Sequence, residues 1–329
     1  MLKRAMMRII VYLTAFSFGV CAILLYNRQE MYALTSSEYI KWVDMTVTAE
    51  AMRDTLEADI LLHESNTPAR MSELLALLSA KYCGEYKGYS KKDVDTLVKR
   101  IKAGETVDEI GASYKYYSYY KEAYSAVFDG FTGEYYSNGK LKYGLTVFSP
   151  IASGFYFSHC DDFGVGRSYG YKRKHLGHDL MGSVGTPIIA IESGYVEALG
   201  WNQYGGWRVG IRSFDNKRYY YYAHLKKDHP FAEGLSVGDT VNAGDVIGYM
   251  GMTGYSVKEN VNNIKTPHLH MGIQLIFDPL QKDGYNQIWL DCYEIVKFLM
   301  SNKMPVIRST NGRDHVSAID FELYSSPDH

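Results

Sequence analysis

The feature that most constrains the fold is a series of short, strand-like segments separated by turns, running from about residue 130 to about residue 280. Examples are "WRVGIRS" (207–213), "RYYYYAHL" (218–225) and "HLHMGIQLIF" (268–277), which contain many of the β-branched and aromatic residues that favour strands. Glycine, Asn-Lys and Gly-Asp turns separate them. Many short strands at this spacing are typical of an antiparallel sheet or a barrel. We therefore predict a mainly antiparallel β domain over residues 130–284.

Residues 35–129 have the apolar spacing of helices instead. Thr35 and Glu38 have the spacing of a capping box, and apolar residues recur behind them at helical intervals from Ile40 to Ile60. The pattern predicts one helix from residue 35 that continues past Ile60. Further helices are predicted in three segments, 71–78, 94–101 and the tyrosine-dense 114–124.

The tyrosine-dense segment "YKYYSYYKEAY" has two readings. It could present a surface to a sugar or a protein partner, or it could be an amphipathic face that packs on a neighbouring domain. We favour packing, and we expect the whole helical region to be a spacer or a partner-binding region.

The C-terminal part is predicted from one apolar stretch. "YNQIWLDCYEIVKFLMSNK" (285–303) predicts a single closing helix, and we expect the polar residues after it to be loose. The predicted fold class is therefore α+β. Its parts are a cytoplasmic tip and transmembrane anchor (1–28), a helical region (35–129), the β domain (130–284), and a C-terminal helix with a polar tail (285–329).

The anchor is predicted from "IIVYLTAFSFGVCAILLY" (9–26), eighteen residues without a charge, which is long enough to cross a bilayer as a helix. Lys3, Arg4 and Arg8 precede it, so the positive-inside rule places the N-terminus in the cytoplasm. We expect a single-pass protein of the cell membrane whose C-terminal domain is extracytoplasmic. The alternative is a signal peptide cleaved after Ala33.

Composition excludes several kinds of site. The formal charge is −2, so no surface for a polyanion is implied and nucleic acid is not an expected partner. The four cysteines are scattered and form neither a disulfide framework nor a paired-cysteine zinc motif. Histidine is concentrated instead, since seven of the ten lie between His159 and His270.

Three histidine clusters occur in the β domain: "KHLGHDL" (174–180), "YAHL" (222–225) and "HLH" (268–270). Residues at i and i+2 of a strand share a face, so His268 and His270 can reach one site. A zinc site needs three or four ligands that converge from different strands. Any one of these histidines alone is more often structural or exposed, but three clusters in one β-rich segment favour a metal site.

The three clusters resemble the signature motifs of the lysostaphin-type, LytM-like zinc metallopeptidases. The connecting segments are also similar, including "GTPIIAIESGYVEALGW" and "EGLSVGDTVNAGDVIGYMGMTG". The resemblance covers about residues 145–280. It implies a zinc endopeptidase that cleaves a cross-bridge or stem peptide of peptidoglycan, a substrate found outside the cytoplasmic membrane, where the predicted anchor would hold the domain.

The resemblance also implies roles for five residues. His175, Asp179 and His270 would bind Zn²⁺, while His224 and His268 would be catalytic groups beside the activated water. The chain has no His-Glu-x-x-His motif, so these two histidines are the available proton carriers.

Three features depart from the family pattern. His178 stands where an aliphatic residue is usual, and we expect it at the surface; the alternative is a group beside the metal ligands or the substrate. The segment "YSVKENVNNIK" (255–265) is longer than usual, and we expect a loop at the rim of the cleft. His159 lies upstream of the first cluster, where some relatives hold an inhibitory fourth ligand.

Two other functions remain open. A LytM-like domain can be a non-catalytic binding module, such as a hydrolase activator or a component of a sporulation channel. Such domains typically lose ligands, whereas this chain keeps all five positions, which favours an enzyme. A carbohydrate-binding β module without metal would leave His175, Asp179 and His270 unexplained.

Overall fold

The computed structural model describes residues 40–43, 45–168, 172–277 and 287–324. The predicted anchor (9–26) and the predicted capping box at Thr35 and Glu38 lie outside these residues. Among the described residues, no helix combines the length and the apolar character that a membrane span requires.

The first part of the described chain is helical. Its helices are α1 (Ala49–Glu64), α2 (Met71–Tyr82), α3 (Lys91–Lys102), α4 (Val107–Gly111) and α5 (Tyr117–Phe128). Their apolar faces bury Leu62, Leu74 and Phe128 completely. In the tyrosine-dense helix α5, Tyr124 is buried and accepts a hydrogen bond from the Ser79 hydroxyl (2.9 Å), whereas Tyr119 is exposed. One side of α5 therefore packs on α2 within the helical region.

The predicted continuous helix from residue 35 to beyond residue 60 is wrong in its first part. Residues 40–43 form strand β1 (Ile40–Val43), and α1 begins only after Thr48, whose side chain accepts a hydrogen bond from the Ala51 amide (3.2 Å). The backbone of β1 pairs with a strand far along the chain, and the spacing of apolar residues does not predict such a partner. A short apolar run fits both the helical period and the strand period, so the element with which it pairs decides its conformation.

The β domain contains the remaining strands. They are β2 (Thr132–Ser137), β3 (Lys140–Leu145), β4 (Ser158–His159), β5 (Gly166–Ser168), β6 (Lys172–Lys174), β7 (His178–Met181), β8 (Pro187–Ile189), β9 (Gly194–Asn202), β10 (Gly206–Ser213), β11 (Arg218–Ala223), β12 (Thr240–Val241), β13 (Val246–Tyr249), β14 (His268–Leu275), β15 (Gln287–Leu290), β16 (Val306–Arg308), β17 (His315–Ser317) and β18 (Phe321–Leu323).

The main sheet of the described residues has nine strands. Its path is β1–β15–β14–β11–β10–β9–β12, and β7 pairs with both β14 and β4. The pair β1–β15 is parallel, whereas the other pairs are antiparallel. The predicted α+β class with a mainly antiparallel β domain is confirmed.

The predicted closing helix over 285–303 is also wrong at its start. Residues 287–290 form β15, which lies between β1 and β14, and the helix α6 covers only Tyr293–Leu299. Asp291 separates the two elements, because its carboxylate accepts a hydrogen bond from the Tyr293 amide (2.9 Å).

The residues after α6 are not loose as far as the structure describes them. Strands β16 and β17 form a hairpin, and β18 pairs with β2. Phe321 is buried, with its ring centroid 5.0 Å from that of Tyr135 and 5.1 Å from that of Phe148. These ring contacts fix in place a segment whose composition is otherwise polar.

Candidate metal centre and active site

Three predicted ligands meet at one point. His175 Nε2 lies 3.1 Å from Asp179 Oδ1 and 3.1 Å from His270 Nδ1, and His270 Nδ1 lies 2.8 Å from Asp179 Oδ1. His175 and Asp179 are buried and His270 is half-buried. Their ligand atoms all lie within 4.8 Å of one another, close enough to hold one metal ion.

The sheet register explains how the group assembles. Asp179 on β7 and His270 on β14 are directly paired, so their side chains leave the sheet side by side. His175 lies in the loop before β7, and Gly177 lets that loop approach β14. A Cβ at Gly177 would come within 2.5 Å of the His270 ring and 2.6 Å of the Met271 carbonyl oxygen. Only glycine fits between His175 and Asp179 at this distance.

The orientation of His175 is set by its other nitrogen. Nδ1 lies 3.2 Å from the backbone carbonyl oxygen of Asp162, which can only accept a hydrogen bond, so Nδ1 carries the proton. The Nε2 lone pair is then directed toward Asp179 and His270. Ligands are typically oriented in this way by a partner of the second nitrogen.

The Asp179 carboxylate is ionised and supplies a negative charge at this point. Burial alone would raise the pKa of Asp179, but its contacts with His175 and His270 outweigh burial and hold the pKa well below its usual range. Burial lowers the pKa of His270, which favours the neutral imidazole. Burial also acts to lower the pKa of His175, but the adjacent Asp179 carboxylate outweighs it and leaves the pKa raised.

The donor set fits zinc. Atoms bound at 2.0–2.1 Å to a tetrahedral Zn²⁺ lie roughly 3.3 Å from one another. The three observed separations, 2.8 to 3.1 Å, are close to that value. Two imidazole nitrogens and one carboxylate oxygen are also the ligand types that Zn²⁺ takes in peptidases.

The two predicted catalytic histidines lie beside this group. The ring centroids of His224 and His268 are 4.8 Å apart, and those of His224 and His270 are 5.8 Å apart. His268 Nε2 lies 3.9 Å from Asp179 Oδ1. The structure thus brings all five predicted residues together.

Backbone carbonyl groups fix both rings. Nδ1 of His224 donates to the Thr253 carbonyl oxygen (2.9 Å), and Nδ1 of His268 donates to that of Thr266 (2.8 Å). Each histidine therefore has its Nε2 lone pair available for a proton. Burial lowers the pKa of His224 well below its usual range, and the nearby His268 and His270 lower it further, so this ring is neutral near pH 7.

The expectation that His178 lies at the surface is wrong. Its side chain is fully buried, and Nε2 lies 2.7 Å from Nδ1 of His159. Burial, followed by the neighbouring His159, lowers the pKa of His178 to about 3. Neighbouring residues of a strand face opposite sides, so His178 points away from Asp179, and His159 lies on the side of the sheet that His178 faces. His159 therefore contacts His178 rather than the His175–Asp179–His270 group.

Several residues at the site had no signal in the sequence. Arg167 contacts the Asp162 carboxylate and lies 3.4 Å from Asp179 Oδ2. Tyr255, at the start of the long loop predicted for the cleft rim, has its ring centroid 5.7 Å from that of His224. Arg173 contacts the Tyr255 hydroxyl. These residues lie in segments of irregular length, where spacing predicts no contacts.

Comparison with known proteins gives a family for this part of the chain. The model of "Peptidase family M23" matches residues 173–282. An L-Ala--D-Glu endopeptidase of Bacillus subtilis (strain 168) is 39% identical over 117 residues, which are 36% of this chain and 34% of that protein. Lysostaphin of Staphylococcus simulans is 39% identical over 97 residues, which are 29% of this chain and 17% of lysostaphin. The chain thus spans about a third or less of these curated relatives.

The likeness to solved structures extends beyond the family match. The crystal structure of a LytM protein from Ruminococcus gnavus ATCC 29149 superposes with a TM-score of 0.54 over 84% of this chain and 95% of that one. At 23% identity this likeness shows the fold alone. The three histidine motifs and the family match make residues 173–282 similar to Peptidase family M23, and the superposition shows that the chain shares the LytM fold.

Proposed function

We propose that this chain is a zinc metalloendopeptidase that hydrolyses peptide bonds in peptidoglycan. The observation that carries the proposal is the convergence of His175 Nε2, Asp179 Oδ1 and His270 Nδ1 within 3.1 Å of one another, beside two histidines with fixed tautomers. The names of the relatives, an L-Ala--D-Glu endopeptidase and lysostaphin, support the reaction class.

The roles of the residues follow from their geometry. His175, Asp179 and His270 would hold the ion, which when bound supplies Lewis-acid activation of water and of the scissile carbonyl group. His224 and His268 would accept the proton of the attacking water at Nε2 and deliver it to the leaving amine. Because their Nδ1 atoms are fixed by Thr253 and Thr266, neither ring needs to turn during this transfer.

The location is part of the same proposal. Residues 9–26 would anchor the chain in the cell membrane and hold residues 45–324 on the extracytoplasmic side, where peptidoglycan is found. Protease added to intact cells should then digest the C-terminal part. Full protection of that part until the cells are lysed would contradict this placement.

The activity is tested with the purified full chain on cell-wall sacculi. We expect about one zinc ion per chain and release of new amino termini, both lost with a chelator and restored by added Zn²⁺. His175→Ala should lose zinc and activity, whereas His63→Gln, on α1, should keep both. Zinc without any peptide release would indicate a non-catalytic module, and absence of both would refute the enzyme.

A further inference from the structure

Two arginines near the site have no carboxylate within ion-pair distance in the part of the chain that the structure describes. Arg173 contacts the Tyr255 hydroxyl, and its guanidinium carbon lies 5.1 Å from the Tyr255 ring centroid. Arg208 has a buried Nε without a hydrogen-bond partner. Nearby arginines differ, since Arg212 pairs with Glu197 (2.8 Å) and Arg167 pairs with Asp162.

Arg208 lies in the same cross-strand row as the metal centre. Val209 pairs with Tyr222, so Arg208 stands beside Ala223, and Ala223 pairs with His270. Adjacent strands are about 4.8 Å apart, so two such steps place the backbone of Arg208 about 10 Å from that of His270. An arginine side chain spans much of that distance.

The other neighbour of Arg208 leaves room for a ligand. Gly200 pairs with Arg208 on β9, and a Cβ at Gly200 would meet no atom within 4 Å. The space beside Arg208 is therefore open on the side away from His270.

Tyr221 connects the two arginines to the site. Its ring centroid lies 6.1 Å from that of His270, and its hydroxyl accepts a hydrogen bond from Asn202 Nδ2 (3.2 Å). Tyr221 pairs with Gly210, which lies two residues from Arg208 on the same strand face. A Cβ at Gly205 would clash with the Tyr221 hydroxyl, and the adjacent Tyr204 carbonyl oxygen accepts a hydrogen bond from the Tyr255 amide (3.2 Å). Tyr221 therefore adjoins both Arg208 and the Tyr255–Arg173 pair.

We propose that Arg173, Arg208 and Tyr221, which we call the arginine patch, bind a free carboxylate of the substrate next to the scissile bond. This inference rests on the proposed function and narrows its substrate to acidic peptides. Guanidinium groups bind carboxylates through paired, charge-assisted hydrogen bonds, and a ligand carboxylate would supply the partner that Arg208 Nε lacks.

The patch distinguishes two kinds of peptidoglycan peptide. A glutamate residue has two carboxyl groups, and the peptide linkage of the substrate uses one of them. The other remains free beside the peptide bond. A glycine bridge has no such group. We therefore assign the arginine patch to glutamate-containing stem peptides rather than to glycine bridges.

The test measures equilibrium binding, so it does not depend on cleavage. The probes are two dipeptides of γ-linked D-glutamate and C-terminally amidated lysine, one with the free α-carboxylate and one with that group converted to an amide. Calorimetry with the zinc-loaded full chain should give at least about tenfold tighter binding of the carboxylate form, as expected for hydrogen bonds to a charged group. Arg208→Gln and Arg173→Gln should each lose most of that preference.

The controls separate charge from folding. Arg208→Lys keeps the positive charge and should retain part of the preference, and Arg53→Gln removes an exposed charge on α1 and should change nothing. Equal binding of the two probes by the wild type, no measurable binding of either, or an unchanged preference in Arg208→Gln would overturn the inference. Failure of the proposed function has a different result, namely no release of peptide ends from sacculi by the zinc-loaded chain.

Discussion

His268 and His270 are two positions apart on one face of β14, yet their contacts differ in kind. His270 presents Nδ1 to Asp179 and His175, while His268 uses Nδ1 to donate to the Thr266 carbonyl oxygen and leaves Nε2 near the site. We therefore expect His270→Ala to lose both zinc and activity. His268→Ala should keep zinc nearly at the wild-type level but lose activity by a factor of about 10² to 10⁴, the usual contribution of a general acid or base.

Zinc content by atomic absorption and peptide release from sacculi check this pair. His63→Gln, which alters a ring on α1 that stacks on Tyr143 of β3, is the matched control and should retain both properties. If His268→Ala empties the site as completely as His270→Ala, the division of roles between the two rings is incorrect.

The sequence predicted the members of the site better than their orientation. Strand spacing placed His268 and His270 on one face, because side-chain period in a strand is a local property, and the resemblance to LytM-like peptidases supplied the full set of five residues. The backbone carbonyls of Asp162 and Thr253 that orient His175 and His224 could not be predicted, since any residue type supplies a carbonyl. The burial of His178 could not be predicted, because the burial of a strand residue depends on which distant elements cover it.

At the scale of elements, the C-terminal strands are held by one buried carboxylate. Asp314 is 4% exposed and accepts hydrogen bonds from the Tyr249 hydroxyl, His229 Nε2 and Asn311 Nδ2, each 2.8 Å long. Burial alone would raise the pKa of Asp314, but these hydrogen bonds outweigh it and lower the pKa.

A lowered folded-state pKa gives the direction of a pH effect. Asp314 contributes stability above its unfolded pKa of about 3.9, and this contribution is lost as the pH falls through the lower folded value. We therefore expect Asp314→Asn to be less stable than the wild type near pH 6, and the difference in the midpoint of thermal unfolding to shrink below about pH 4. Val316→Thr, an exposed change in β17, is the control. A difference that stays constant across this range would exclude Asp314 as the group that titrates.

The elements that the sequence missed share a cause. β1 and β15 pair with each other across more than two hundred residues of chain, and β18 pairs with β2 over a similar separation. The run "IKWV" fits a helix by its own spacing, and only the edge of β15 makes it a strand. The strands of residues 194–223 were predicted more easily, because each pairs with a neighbour in sequence.

At the scale of the whole molecule, the helices and the sheet share one apolar core. Buried residues of α1, α2 and α5 belong to the same cluster as those of β10, β11 and β14. One buried ion pair also joins the two parts. The Arg218 side chain on β11 is 1% exposed, pairs with Glu192 (2.8 Å) and donates through Nη1 to the Ala126 carbonyl oxygen in α5 (2.7 Å).

This arrangement predicts that the two parts unfold together. Arg218→Met leaves the Glu192 carboxylate buried without its charge partner, which costs about 3–5 kcal/mol. We expect the midpoint of thermal unfolding to fall by roughly 10 °C in one transition, followed both by circular dichroism of the helices and by tryptophan fluorescence, since Trp201, Trp207 and Trp289 lie on strands.

A double variant separates the charge effect from packing. Glu192→Gln together with Arg218→Met removes both charges of the buried pair, so it should recover part of the stability lost in Arg218→Met alone, because the Glu192 carboxylate is no longer buried without a partner. Asp215, which also pairs with Arg218 (2.9 Å), is partly exposed and loses its partner in both variants. If the helical signal of Arg218→Met melts at the wild-type temperature while only the β domain is destabilised, the two parts are independent. A single lowered transition would instead mean that the candidate metal site lies on a sheet whose stability depends on the helices, so that a partner bound to those helices would also stabilise the site.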